Sequence, residues 1–367
     1  MSAAPAAPAQ VSHGTRASRI GLPLFLLLLV ALAAAPWWTD RQGMRLLGEV
    51  YAYAALASLW NLLAGYSGLV TVGQQAFVGL GAYVLFSAAL LFGVNPLWGI
   101  PAAGLLGALA AVPVAALTFR LRGAYFAIGT WVVAEVFRLL AAQFTALGGG
   151  SGTSLPASVV ASIASGRAAR EQLLYWLALG LAVLILAAIL LLLRSRHGLA
   201  LAAIRDNEVA ARSCGIEVDR TRLAVFVVAS GGAAMVGALI FLQKLRISPD
   251  AAFSVNDWTA LVIFIAVIGG IGRVEGPLIG TALFFLLRET LSQLGSLYLM
   301  VLGAVAIAVM LLAPRGLWGV LADRLGWQVF PLARRLEPRA PPLGTAPPPT
   351  TRHALAGADH ENRGDTR

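Results

Sequence analysis

Lysine is almost missing from this chain: Lys244 is the single one among 27 Lys and Arg residues. Charge of either sign is scarce, with Asp, Glu, Lys and Arg at 12% of 367 residues, about half the share in a soluble globular chain. One cysteine, Cys214, excludes an internal disulfide and a cysteine zinc site. The four histidines, His13, His197, His353 and His360, fall in tails or a loop, so no metal cluster is expected inside an apolar region. The chain has no GxxxxGK[ST] phosphate cradle, since Lys244 follows Phe-Leu-Gln rather than a glycine loop. A net charge of +10 does not point to nucleic acid, because the arginines are dispersed without a basic stripe or interleaved aromatics.

What the chain has instead is apolar length, 59% hydrophobic residues. Ten apolar segments stand out, at 20–38, 46–64, 68–92, 97–118, 123–143, 172–193, 222–243, 258–272, 276–293 and 297–314. Each approaches the roughly 20 residues a bilayer crossing needs. Only Arg273, Val274 and Glu275 separate the eighth and ninth, which are expected to form a tight re-entrant pair. The expected fold is an all-α integral membrane protein, a polytopic helical bundle of about ten (8–10) spans with broken or re-entrant Gly-rich segments. Basic residues in short loops mark the cytoplasmic side. Arg16, Arg19, Arg120, Arg122, the 194–222 segment, Arg273 and Arg315 then lie inside with both termini, while Arg41 and Arg45 fall outside against the rule. The first span is expected to be uncleaved, although Ala33-Ala34-Ala35 would suit a signal peptidase. Residues 1–19 and the Pro-rich 321–367 are expected to be disordered tails around a membrane-spanning domain at 20–320.

An ionisable group at the bilayer centre costs about 2.5–3.5 kcal/mol on insertion scales and is a functional candidate for that reason. Glu49, the Glu135–Arg138 pair at i,i+3, and Arg288 with Glu289 qualify, and an interfacial or mutually neutralised pair is the plain alternative for each. Nothing resembles a series of acidic residues for proton relay. Neutral polar residues are more informative: Asn61, Gln74 and Gln75 accompany the Gly-rich run at 65–83, where Gly73, Gly79 and Gly81 would permit close helix approach or a helix break. These six residues, together with Glu135, are the candidates for a translocation path. A second Gly-rich run at 268–283 repeats one spacing, since Gly272 and Gly280 are eight apart, as are Gly73 and Gly81. The stretch at 147–154, LGGGSGTS, reads as a flexible loop, with an anion-binding nest as the alternative.

The remaining charge is concentrated at 194–222, with six arginines in 29 residues. Leu199 to Ile204 is a short apolar helical run; Asp206 or Asn207 would cap a second helix, and Gly215 would end it. Within that helix Glu208 and Arg212 pair at i,i+4, Arg205 and Glu208 at i,i+3, and Ala210 and Ala211 would keep one face small. A compact helix with an alanine face and a charged rim suits insertion into a cleft of another protein. A solvated amphipathic loop would show a continuous large apolar face, which Leu199, Leu201, Ile204, Val209 and Ile216 do not supply.

Glu208-x-Ala210-Ala211-x-x-x-Gly215 resembles the EAA-type loop of importer permeases of the ATP-binding-cassette class. Four segments in order, at 65–83, 121–138, 202–216 and 267–283, resemble the branched-chain amino acid permease family, LivM-like. The resemblance covers about residues 45–320, and it departs at Gly73-Gln74, where the family often has Gly-His, and at Gly148–Gly152. It implies a subunit with no catalytic residue, metal or cofactor of its own, translocating branched-chain or related amino acids, or urea and short amides. It further implies a bacterial inner membrane and partners: a second permease (LivH-like), two cytoplasmic ATPase subunits holding ATP and magnesium, and a periplasmic substrate-binding protein. Arg205, Asp206, Asn207, Glu208, Ala210, Ala211, Arg212 and Gly215 would form its ATPase-coupling loop. A self-sufficient secondary transporter would need coupling-ion carboxylates in the spans, and a membrane enzyme an acid–base pair there; the chain offers few of the first and no histidine for the second.

Overall fold

The computed structural model describes residues 9–12, 16–164, 166–291, 297–313, 316–325 and 335–338. It is mostly helical. In chain order the helices are α1 (Arg16–Ala33), α2 (Arg41–Asn61), α3 (Gln74–Leu90), α4 (Pro96–Thr118), α5 (Ala124–Gln143), α6 (Ala157–Ala161), α7 (Arg167–Arg194) and α8 (Arg196–Asp206). They continue as α9 (Glu208–Ser213), α10 (Val218–Lys244), α11 (Pro249–Ala252), α12 (Leu261–Gly269), α13 (Glu275–Leu291), α14 (Leu297–Leu312) and α15 (Gly316–Leu325). Among the described residues, seven helices are long and apolar enough to cross a membrane, fewer than the eight to ten spans expected. Two short antiparallel pairings complete the set: β1 (Ala9–Ser12) with β4 (Arg335–Pro338), and β2 (Thr153–Ser154) with β3 (Arg246–Ile247). The β1–β4 ribbon belongs to a compact unit of the two chain ends, separate from the bundle formed by Thr15–Leu332. Most of both tails expected to lack a core lies outside the described residues.

Local chemistry sets where several helices begin. Asp40 accepts a hydrogen bond from Gly43 N at 2.9 Å and caps α2. Asn95 caps α4 through Leu97 N at 3.0 Å, with Pro96 at the first helical position. The centre of the bundle is α10, which packs on α2, α3, α4 and α7. Without a water-driven hydrophobic effect between spans, close backbone approach and dispersion hold such helices together. The contact faces are built for it: a methyl group added at Gly81 would overlap the Ala234 carbonyl, and one at Gly237 the Val78 carbonyl. Large apolar side chains face outward on α1, α4 and α5, among them Leu27, Leu105, Tyr125, Trp131 and Leu140. Exposure on that scale fits a hydrocarbon surround.

Two helices are interrupted. After α2 a π-turn, Leu62–Tyr66, leads into the non-helical residues 67–73 before α3 begins. A second π-turn, Asn256–Ala260, runs into α12, and residues 270–274 separate α12 from α13. The 147–154 stretch departs from the flexible loop expected. Leu147 is 1% exposed, Gly149–Ser151 forms a 3-10 turn, and β2 binds β3. Backbone pairing and a buried leucine hold this glycine run in place.

The arginines at odds with the basic-residue rule converge on one carboxylate. Glu171 lies 2.7 Å from Arg45, 3.3 Å from Arg167 and 3.7 Å from Arg41, which offsets part of their charge. The intramembrane candidates also pair. Glu49 meets Arg288 at 2.8 Å, and Glu135 meets Arg138 at 2.6 Å, with Asp250 joining Arg138 at 2.7 Å.

Candidate functional site

The charged segment folds into two helices set end to end. Ser195 caps α8 by accepting from His197 N at 3.1 Å. Asp206 ends α8 rather than capping α9; Asn207 is the cap, its Oδ1 accepting from Ala210 N at 3.0 Å. The chain leaves α9 through Gly215, whose φ of +81° favours glycine, and Ile216 N closes onto Ala211 O at 3.1 Å. Ile204, Ala211 and Val218 are buried together beneath the turn.

Two expectations are corrected here. Arg205 and Glu208 do not pair at i,i+3, because the chain breaks at the extended Asn207 and the two residues belong to different helices. Arg205 instead lies 3.5 Å from Asp206. Ala210 and Ala211 do not share a face either. Ala211 is 3% exposed and anchors α9 inward, so the outward face is Val209, Ala210, Ser213 and Cys214.

The Glu208–Arg212 pair is present at 3.0 Å, and Arg212 also reaches Asp219 at 3.3 Å. Glu208 further binds Arg222 at 3.1 Å. Partial burial pushes the Glu208 carboxyl up, but hydrogen bonds and charge from Arg212 and Arg222 outweigh it and hold the group below its ordinary range. Glu208 raises the Arg212 guanidinium in return. A cavity of about 430 Å³ lies beside α9, lined among others by Gly68, Val70, Arg122, Glu208, Arg212 and Arg222.

Arg222 joins this candidate site, and sequence reasoning missed it. It stands 14 positions after Glu208, on another helix, so no helical spacing links the two. Its Nε donates to the carbonyl of Ser67 at 3.2 Å, in the first interruption. Asn61, 2% exposed, ties that interruption to the second: its Oδ1 accepts from Gly272 N at 2.7 Å and its Nδ2 donates to Arg273 O at 2.9 Å. Gln75 adds a further link by accepting from the Thr259 hydroxyl.

The structure brings most of the expected path residues together in the packed interior. Gln74 and Gln75 are 5% and 1% exposed. Gln74 Nε2 donates to Leu56 O at 3.0 Å, while Gln74 Oε1 and Gln75 Nε2 have no hydrogen-bond partner among the described residues. Gly73 abuts the Thr130 backbone, Gly79 the Phe253 ring and Gly81 the Ala234 carbonyl. Glu135 stands apart, on the exposed face of α5. Among the described residues, no three His, Cys, Asp or Glu side chains could hold a metal ion.

Comparison with known proteins adds an independent line. A family model described as branched-chain amino acid transport system / permease component matches residues 44–310. The chain is 29% identical to the high-affinity branched-chain amino acid transport system permease protein LivM of Escherichia coli (strain K12), over 82% of this chain and 76% of that protein. It is 23% identical to the probable branched-chain amino acid transport permease protein LivM of Methanocaldococcus jannaschii, over 66% of this chain and 75% of that protein. A shorter match, 30% identical, joins 38% of this chain to 45% of the probable permease protein LivH of the same organism.

Proposed function

This chain belongs to the permease family of branched-chain amino acid transport systems, and from that premise we propose that it is the membrane-spanning subunit of an ATP-driven importer. Its cargo in this reading is a branched-chain or related amino acid. It works with a second, LivH-like permease, two cytoplasmic ATPases that hold ATP and magnesium, and a periplasmic binding protein, in a bacterial inner membrane. The observation that carries the reading is α9, a capped six-residue helix that keeps Val209, Ala210 and Ser213 exposed while Ala211 anchors it. An outward face this small can enter a cleft, and the salt-bridged rim of Glu208 and Arg212 fixes its orientation. Closure of the ATPases would move α9 and rock the bundle between outward- and inward-open states. The cargo path would follow the wall of Asn61, Gly73, Gln74, Gln75, Gly79 and Gly81; Glu135, expected on the path as well, stands on the exposed face of α5 and pairs with Arg138. In its favour, Gln74 and Gln75 are buried and keep unused hydrogen-bonding capacity among the described residues.

Glu208→Lys tests the reading. We expect ATP-dependent uptake to fall by roughly a hundredfold or more, as charge reversal at a docking contact commonly does, with membrane insertion intact. Normal uptake by that variant would overturn the docking role. An ATPase subunit should copurify from native membranes. Transport by the chain alone in proteoliposomes without ATP would favour a secondary transporter instead.

A further inference from the structure

We infer that Arg222 is the positioning residue through which motion of α9 reaches both helix interruptions. The inference rests on the importer reading above for its consequence in transport, and on geometry alone for the link itself.

Arg222 lies near the start of α10 with its side chain 20% exposed, against 46% for Arg205, 48% for Arg212 and 83% for Arg220. Its guanidinium holds two partners in different directions. One nitrogen meets Glu208 of α9 at 3.1 Å, and Nε donates to the Ser67 carbonyl at 3.2 Å. Ser67 is fully buried and sits where the π-turn ends, so its carbonyl has lost the helical donor that continued winding would supply. Arg222 takes that donor's place, and the coupling helix thereby holds the backbone of the first interruption. Ser67 in turn is fixed to the preceding turn, its hydroxyl donating to Leu63 O at 2.6 Å.

The second interruption follows through Asn61, at the end of α2 where the π-turn begins, which holds Gly272 N and Arg273 O. Arg205 also approaches the second interruption, since a methyl group added at Gly272 would lie 3.7 Å from its guanidinium. Displacing α9 therefore pulls on residues 67–73 directly and on residues 270–274 at one remove. A lysine could hold one of the two partners; its single ammonium lacks the planar fork that spans both.

Amide hydrogen exchange on the full chain in lipid nanodiscs tests the link. In Arg222→Ala, exchange at residues 68–73 should quicken by about tenfold, with a smaller increase at 270–274 and none in α4, because protection reports local opening. Arg222→Lys should restore part of it. In the complex with its ATPases, Arg222→Ala should copurify as the wild type does yet take up roughly tenfold less solute per ATP hydrolysed. Wild-type exchange at 68–73 in the alanine variant would overturn the inference. So would a loss of uptake and hydrolysis by the same factor, which would mark Arg222 as a docking residue only. If no ATPase accompanies the wild-type chain, the importer reading fails on that count, and the exchange measurement still decides the link.

Discussion

The two glycine-rich interruptions share a spacing and divide in what their glycines do. Gly81 and Gly280 act alike. Each lies on the helix after its interruption and lets a neighbouring carbonyl, Ala234 or Ile265, approach where a methyl group would overlap it. Gly73 and Gly272 differ. Gly73 has an ordinary φ of −114° and is needed because Thr130 crowds it; a methyl group at Gly272 would meet only ordinary van der Waals contacts, and glycine is needed there for its φ of +78°. The first interruption is therefore wedged between α5 and Arg222, while the second is a turn to whose backbone Asn61 makes two hydrogen bonds. Equal spacing marks an equal packing demand one or two turns into the following helix, and says nothing about the break itself.

Substitution would sharpen that contrast. Gly81→Ala and Gly280→Ala should each destabilise the bundle by about 3 kcal/mol, since backbone rather than side chain must yield; thermal unfolding in detergent reads this, and a tolerant Gly280 would break the equivalence. Asn61→Ala should cost about 2 kcal/mol by removing two bonds to the backbone, and it should raise amide exchange at 270–274 more than at 67–73. Gly272→Ala should cost about 1 kcal/mol, from backbone conformation alone, whereas Gly73→Ala should cost more because of Thr130. Lowering the pH should act least. Glu208 has a depressed pKa in the folded chain, so its contribution is complete above the ordinary glutamate value of about 4.3 and is lost only as pH falls through the lower folded value. Exchange at 67–73, corrected for the intrinsic pH dependence of amide exchange, should therefore stay flat from about pH 8 to 5 and rise only in stronger acid.

The helical bundle was legible because apolar length dominates the chain, and each of the ten apolar segments contains a helix or most of one. The stop of α9 was legible, and its cap was narrowed to Asp206 or Asn207, because Asn207 and Gly215 act through neighbours within three or four residues. The alanine face was misjudged, since burial of Ala211 depends on Ile204 and Val218, whose placement follows from the turns at either end of α9. Arg222 was invisible for a similar reason: its partner Ser67 lies 155 positions away. Pairings among Arg41, Arg45 and Glu171 cross from α2 to α7, and no local pattern announces them.

The single cysteine offers the most direct test of the central claim. Cys214 is exposed and follows α9 immediately. Maleimide should label it in inside-out membrane vesicles stripped of peripheral proteins, and labelling should slow markedly when the ATPase subunits are left in place. Labelling from the opposite membrane face, or an equal rate with and without the ATPases, would contradict a cytoplasmic coupling helix seated in a partner's cleft.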